Sequence, residues 1–116
     1  KIPLIKAFYK TIKQILETLL KNNSNAFREA VLLEYPRKGV WVIGFTTGEV
    51  KGAVKNKIKI SMINVFVPTT PNPTSGFLLM VPKSQLKYLN VKVDDAIKTI
   101  VSAGIIQLDA KPKDNS

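Results

Sequence analysis

The sequence contains neither cysteine nor histidine. Without cysteine the chain has no disulfide framework and no thiolate, a composition typical of a reducing compartment. Without histidine it lacks the usual general base, the commonest metal ligand and the side chain that titrates near neutral pH. We therefore do not expect an enzyme, and we expect no catalytic residue, no metal site and no cofactor.

Acidic residues are scarce: eight Asp and Glu stand against eighteen Lys and Arg, which gives a formal net charge of +10. No acidic residue occurs between Glu49 and Asp94. Such an excess attracts the phosphates of nucleic acids or of anionic lipids, although a lysine-rich solvated surface has the same composition. Nucleic acid is not expected as a partner, because the aromatic residues fall in apolar runs and are not interleaved with basic residues. We expect four of these aromatic residues in the core: Trp41, Phe45, Phe66 and Phe77.

Long hydrophobic runs are also missing, since none approaches the roughly 18 apolar residues of a membrane-spanning helix. No signal-peptide pattern opens the chain. The sequence begins without methionine, which suits a processed product or an excised part of a longer protein. With 116 residues, 45% of them hydrophobic, the chain itself fits one domain with a single core.

Residues 1–23 are predicted to form an amphipathic helix, because their apolar residues recur every three to four positions from Leu4 to Leu20. Lys6, Lys10 and Lys13 fall outside this stripe, so the helix is basic as well as amphipathic. Such a helix either lies on an anionic membrane surface or packs its stripe on the domain core. The periodicity does not separate these two arrangements.

Residues 26–107 are predicted to form an α+β domain, a small and mainly antiparallel β-sheet flanked by the N-terminal amphipathic helix and a C-terminal helix. Residues 108–116 are predicted to be a flexible polar tail. The clearest element is a hairpin of strands 30–35 and 40–47, whose turn contains proline and glycine. A polar loop is expected at 48–57, followed by a strand at 58–67 that has one solvated face up to Met62 and is more deeply buried from Ile63. A buried strand at 77–81 and a short turn of helix at 84–89 come next. The last helix is expected over 93–103, with Asp94 and Asp95 in its first turn and Gly104 as its cap, and Ile105-Ile106 either pack back or add an edge strand.

The most unusual segment is the proline-rich loop between the last two predicted strands, residues 68–76. After Pro68 it contains Thr69, Thr70, Pro71, Asn72, Pro73, Thr74, Ser75 and Gly76. Its prolines stiffen the backbone, which lowers the entropy lost on binding, and its hydroxyls and amides are groups that hold ligands. The alternative is a structural connection whose side chains hydrogen-bond their own backbone, and the residue types alone favour that alternative. A hydrolase pair of Ser75 and Lys83 is the least favoured hypothesis, because nothing in the spacing enforces their contact.

Several stretches of the sequence carry a resemblance to a known family. They are Ile2-Pro3-Leu4-Ile5 with Tyr9 and Ile12-Lys13-Gln14, Ala26-Phe27-Arg28 with Glu34-Tyr35-Pro36-Arg37-Lys38-Gly39, Phe45-Thr46-Thr47-Gly48-Glu49, and residues 65–78, followed by Val93, Asp95-Ala96 and Ser102-Ala103-Gly104. In these stretches the chain resembles the COV-like family of uncharacterised membrane proteins, named from the plant CONTINUOUS VASCULAR RING proteins. The resemblance implies two transmembrane helices upstream of Lys1, with the first helix of this chain directly below the second span. It implies no reaction, cofactor or catalytic residue.

The sequence and the resemblance together predict the soluble domain of a two-span membrane protein, on the cytoplasmic side, acting as a binding or scaffolding module for a protein partner or for a second copy of itself. The lysine excess agrees with that side under the positive-inside tendency. The predicted contact surface is the proline-rich loop together with Arg37 and Lys38. The alternative is binding of anionic lipid head groups by six lysines: Lys6, Lys10, Lys13, Lys51, Lys55 and Lys57. A cryptic enzyme is the third hypothesis.

Overall fold

The structure is a computed structural model that describes residues 27–109 and, before them, Lys6, Ala7, Lys10, Lys13 and Gln14. Its strands are β1 (Glu29–Glu34), β2 (Trp41–Glu49), β3 (Ile63–Pro68), β4 (Gly76–Val81) and β5 (Lys87–Tyr88). Its helices are α1 (Gly52–Ile58) and α2 (Val93–Val101), and a 3-10 turn covers Lys83–Gln85. The predicted α+β class with an antiparallel sheet is confirmed. The five earlier positions are helical and exposed, whereas the rest of the predicted first helix and the tail beyond Asp109 lie outside the described residues.

The sheet has the strand order β4-β3-β2-β1-β5, and every neighbouring pair is antiparallel. The predicted β1–β2 hairpin is confirmed, with Glu34 opposite Trp41 at its closed end. The register between β2 and β3 shifts between Thr46 and Gly48, so this pair contains a bulge. The register between β3 and β4 runs without interruption from Ile63 opposite Val81 to Pro68 opposite Gly76.

Two hydrophobic clusters form the core, because alternate residues of a strand point to opposite faces of the sheet. One cluster packs the buried residues Ala96, Ile97 and Ile100 of α2 on Ala30 and Phe45. The other cluster contains Val31, Leu33, Val65, Val67 and Leu86. Leu33, Val31, Val65 and Phe45 are the largest fully buried side chains.

The antiparallel order gives the sheet two different ends. The β1–β2 turn (residues 35–40) and the β3–β4 loop (residues 69–75) emerge at the same end, which we call the loop end. At the opposite end the chain enters β1, leaves β2 for α1 and leaves β4 for the 3-10 turn. We call this opposite end, made by residues 51–59 and 83–85, the lysine end.

Three expectations about local structure are wrong. The predicted loop over 48–57 is instead the end of β2 followed by α1, a helix too short and too polar to leave an apolar periodicity. Ile58 therefore ends a helix, Ile60 is half exposed, and the strand begins only at Ile63. The predicted helical turn over 84–89 is shorter, because residues 87–88 pair with β1 as β5.

The last helix agrees with the sequence more closely. It ends at Val101, and Gly104 has a φ of +86°, the left-handed conformation expected of its cap. The N–H of Gly104 donates to the carbonyl oxygen of Thr99 (2.9 Å), which satisfies one of the carbonyls left open at a helix end. Ile105 and Ile106 form no strand and are 85% and 53% exposed.

Candidate binding site at the loop end

The proline-rich loop is held in shape by its own side chains. The N–H of Thr69 donates to the carbonyl oxygen of Ser75 (2.8 Å), and this bond closes the loop. The hydroxyl of Thr69 donates to the carbonyl oxygen of Asn72, and Ser75 Oγ lies 2.8 Å from the same hydroxyl, which leaves Ser75 as the donor of that second bond. Asn72 Oδ1 accepts from both the N–H (3.0 Å) and the hydroxyl of Thr74. These polar groups therefore serve the loop itself, as in the structural alternative weighed from the sequence.

One hydroxyl of the loop bonds outside it. Thr70 Oγ1 donates to the carbonyl oxygen of Ile100, 3.0 Å away in α2. Because Ile100 also belongs to the buried cluster beneath α2, the bond ties the loop to the core. The loop is therefore joined both to the sheet and to the helix.

Gly76 ends the loop at a point where the two strands approach very closely. A Cβ built on Gly76 would lie 2.1 Å from the carbonyl oxygen of Val67 and 2.8 Å from the Cα of Pro68. Both are backbone atoms, so a change of rotamer does not relieve the overlap. Gly76 thus permits a close approach, and that approach is to the chain's own backbone.

The β1–β2 turn stands beside this loop. Tyr35 donates its N–H to the carbonyl oxygen of Val40 (2.8 Å), and Gly39, with a φ of +89°, donates its N–H to the carboxylate of Glu34 (2.9 Å). The positive φ is the conformation that the sequence predicted for a glycine closing this turn. Arg37 and Lys38 are exposed at its tip.

A ring contact connects the two segments of the loop end. The rings of Tyr35 and Phe77 lie 6.0 Å apart between centroids, with an interplanar angle of 46°. Tyr35 follows β1 and Phe77 begins β4, strands separated in the sheet by β2 and β3. The predicted surface of the proline-rich loop with Arg37 and Lys38 is therefore brought to one end of the domain.

A groove of about 360 Å³ opens next to the proline-rich loop. Pro68 and Thr70 form one side, Ile100 and Gly104 form another, and Trp41 lies at the start of β2. The remaining lining residues are Val42, Ile43, Val67, Thr99 and Ala103. The lining residues are mainly apolar, a composition typical of binding grooves.

Two aromatic residues expected in the core are instead exposed at this end. Trp41 is 43% exposed, with Lys87 Nζ 5.8 Å from the centroid of its ring, and Phe77 is 55% exposed. Trp41 begins β2 beside the groove, whereas Phe77 lies at the start of β4 opposite Val67, on the sheet face away from α2. Strand-like composition did not indicate this exposure, because apolar runs look alike whether one face or both faces are covered.

The lysines proposed for lipid binding lie elsewhere. Lys55 and Lys83 line a pocket of about 120 Å³ together with Glu49 and Ser61 at the lysine end. Lys51 and Lys57, just before and within α1, are exposed. Lys6, Lys10 and Lys13 are exposed helical positions.

The structure does not form the hydrolase pair. Ser75 precedes β4 at the loop end and Lys83 follows β4 at the lysine end, so roughly 20 Å of strand separates them. Ser75 Oγ is hydrogen-bonded to Thr69. Among the described residues no group of three or more Asp or Glu side chains is arranged to hold a metal ion.

The fold and the loop end define a small α+β domain with a five-stranded antiparallel sheet and a rigid proline-rich hairpin loop. Residues 1–75 match the model of the family DUF502, whose description is "Protein of unknown function". The chain belongs to this family of uncharacterised COV-like proteins.

Three curated proteins of Arabidopsis thaliana are similar to this chain. Protein LIKE COV 2 is 27% identical over 90% of the chain and 40% of its own length. Protein LIKE COV 1 is 28% identical over 90% of the chain and 41% of its own length. Protein CONTINUOUS VASCULAR RING 1 is 28% identical over 90% of the chain and 39% of its own length. The chain thus spans about two fifths of the length of these relatives. No solved structure matches it.

Proposed function

We propose that this chain is a membrane-tethered binding or scaffolding module whose contact surface is the loop end. The groove beside Trp41 carries the proposal, because the proline-rich loop contributes Pro68 and Thr70 to it. A mainly apolar groove with few polar groups suits an apolar segment of a protein partner. Arg37 and Lys38, exposed in the neighbouring turn, favour a segment with acidic flanks.

The hydrogen bonds inside the loop support this role. A loop fixed by Thr69, Asn72 and Ser75 loses little entropy when a partner binds it. The bond from Thr70 to Ile100 holds the loop against the helix that forms the other side of the groove. The structural and the binding interpretations of the loop are therefore compatible, since the internal bonds build the surface that the partner meets.

The proposal places the membrane on the side of the lysine end. The resemblance implies spans upstream of Lys1, and the described domain begins at that end with Phe27 and Glu29. In the curated relatives about three fifths of the length lies outside the match, and the proposal assigns the spans to that part. Among the described residues no helix is both long and apolar enough to cross a bilayer. The cytoplasmic side is proposed from Lys6, Lys10 and Lys13, which are exposed close to the proposed second span.

Crosslinking of the full-length protein in its native membrane, followed by identification of the crosslinked partners, tests the contact surface. Replacing Pro71-Asn72-Pro73 by Gly-Ser-Gly is expected to leave the circular dichroism spectrum of the domain unchanged and to abolish the partner crosslinks. The double substitution Arg37→Gln with Lys38→Gln is expected to weaken them. Lys55→Gln with Lys57→Gln is the matched control, because it removes the same charge at the opposite end. Unchanged crosslinks in the loop variant would refute the proposed contact surface.

A second candidate function is binding of anionic lipid head groups at the lysine end. The observation that favours it is that Lys55 and Lys83 line one pocket, with Lys51 and Lys57 exposed at the same end of the domain. This end also faces the proposed membrane, where each lysine near the surface contributes about 1 kcal/mol of attraction. The two candidate functions use opposite ends of the sheet and are not mutually exclusive.

Flotation of the chain with vesicles tests the second function. Vesicles containing phosphatidylserine should carry the chain upward at low salt and release it at high salt, because screening weakens exposed charges. Purely zwitterionic vesicles should not bind it. Lys55→Gln with Lys57→Gln should reduce flotation more than Arg37→Gln with Lys38→Gln. Binding that does not depend on the salt concentration or on the charge of the vesicles would exclude this mode of lipid recognition.

A further inference from the structure

β4 is an edge strand with an open outer side. β3 lies on one side of it, and no strand of residues 27–109 pairs with the other side. An open edge presents a row of N–H and C=O groups that only another extended backbone satisfies along its whole length. The row of β4 extends over the six residues Gly76–Val81.

The hydrogen-bonding pattern identifies which residues point outward. The carbonyl oxygen of Ser75 bonds to the N–H of Thr69, so residues 77, 79 and 81 also direct their backbone groups towards β3. The N–H of Val50 donates to the carbonyl oxygen of Met62, so the even-numbered residues of β3 bond to β2 and its odd-numbered residues bond to β4. This agrees with the assignment for β4. Gly76, Leu78 and Met80 therefore direct their N–H and C=O groups away from the sheet.

The β4 edge lacks the devices that usually prevent edge pairing. Those devices are charges, proline, bulges and very short length. The opposite edge has two of them, because β5 contains only two residues and one is Lys87. In a chain of net charge +10, β4 has no charged residue, no proline and no register shift. Its Phe77 and Leu78 are 55% and 59% exposed.

We infer that β4 pairs with β4 of a second copy of this chain, in antiparallel orientation, through the outward groups of Gly76, Leu78 and Met80. A second copy always presents the same preformed strand, so pairing costs no folding of a disordered segment. Two copies of net charge +10 repel each other, and pairing at the uncharged β4 edge brings no charged residue of that strand against its counterpart. The inference does not depend on the proposed partner at the groove. Antiparallel pairing turns the lysine ends of the two copies in opposite directions, so pairing and the contact of both lysine ends with one membrane exclude each other.

The outward residues also define the register. With the twofold axis at Leu78, this residue faces its own counterpart, and Gly76 faces Met80 of the other copy. All three outward residues of each copy then exchange N–H and C=O bonds. On one face of the joined sheet the two Leu78 side chains meet, and on the other face Phe77 packs beside Leu79 of the other copy.

Sedimentation equilibrium of the 116-residue chain over a range of concentrations tests the pairing. The expected result is a monomer–dimer equilibrium. Leu78→Pro should raise the dimer dissociation constant at least about tenfold, because proline removes an outward N–H and no N–H that bonds to β3. Leu78→Lys is the second variant, since this exposed position accommodates lysine in the monomer and juxtaposes like charges in the dimer. Ile105→Lys, at a more exposed apolar position outside β4, is the control and should leave the equilibrium unchanged. A chain that stays monomeric, or a dimer insensitive to Leu78→Lys, overturns the inference.

The absence of cysteine allows a direct test of the register. In the Leu78→Cys variant the two Cα atoms would lie about 5.5 Å apart, within the range of a disulfide, so mild oxidation should give a covalent dimer. In the Met80→Cys variant they would lie more than about 12 Å apart, and the same oxidation should give none. Equal yields from the two variants would contradict the register centred on Leu78.

Discussion

Thr70 Oγ1 donates a hydrogen bond to the carbonyl oxygen of Ile100, 3.0 Å away, and thereby joins the proline-rich loop to the last turn of α2. These residues are 30 positions apart in the chain. The bond places one side of the groove in a fixed relation to the other.

Replacing Thr70 by valine should destabilise the domain. The isosteric change keeps the side-chain volume but leaves the carbonyl of Ile100 without this donor, at a cost of about 1 kcal/mol in the free energy of unfolding. Urea denaturation followed by the fluorescence of Trp41, the single tryptophan, measures the difference. No loss of stability would mean that the loop and the helix are not coupled through this bond.

Replacing Thr99 by valine should instead stabilise the domain. Thr99 Oγ1 is buried and has no hydrogen-bond partner in the part of the chain that the structure describes. Its removal relieves a desolvated hydroxyl at almost constant shape, so we expect a gain of up to about 1 kcal/mol. The same urea experiment compares both threonine variants. A clear loss of stability would indicate that this hydroxyl has a bonding partner.

Replacing Gly76 by alanine should destabilise the β3–β4 hairpin. The new methyl group would overlap the carbonyl oxygen of Val67 at 2.1 Å, and only a backbone shift relieves that overlap. We expect a cost of about 1–3 kcal/mol, as for other overpacked sites. Leu78→Ala, at an exposed position of the same strand, is the control and should cost much less. Differential scanning calorimetry at low protein concentration separates the effect from self-association.

Replacing Phe27 by leucine should weaken the core below α2. The ring of Phe27 stacks on Phe45 at 5.3 Å and on Phe66 at 5.6 Å between centroids. Leucine retains much of the apolar area but loses both stacked contacts, which contribute about 1 kcal/mol beyond the buried area. Tyr35→Leu removes a tilted contact between partly exposed rings and should cost less. Equal losses for the two variants would show that stacking adds nothing at Phe27.

The sequence predicts this fold best where several local signals coincide. Residues 36–39 combine proline and glycine between two runs rich in β-branched residues, and the hairpin follows as expected. Asp94 and Asp95 begin α2 and Gly104 caps it, also as expected. In these places each local preference agrees with the tertiary arrangement.

Elements with weak local signals depend on contacts that are distant in sequence. α1 has seven residues, no side-chain cap and no buried residue, so its apolar pattern did not distinguish it from a loop. β5 has two residues and exists only because β1 pairs with it. The exposure of Phe77 and Trp41 depends on what covers each face of the sheet at the strand ends, which no local pattern contains.

The candidate site shows the same division. The proline-rich loop and the Arg37-Lys38 turn were identified from residue type alone, because stiff, turn-forming residues are concentrated there. Their position at one end of the sheet follows from the strand order, and the groove also needs Ile100 and Gly104 from α2. The lysines of α1 are neighbours in the sequence and could be grouped on that basis. Their position at the end of the sheet opposite the loops follows only from the strand order.

The brevity of β5 has a consequence for the size of any assembly. A sheet with two long, uncharged edges adds copies without limit and grows into a fibre. In this chain one edge ends in a two-residue strand that contains Lys87, so copies joined at β4 expose only that short, charged border on either side. In the inferred pairing, growth therefore stops at two copies.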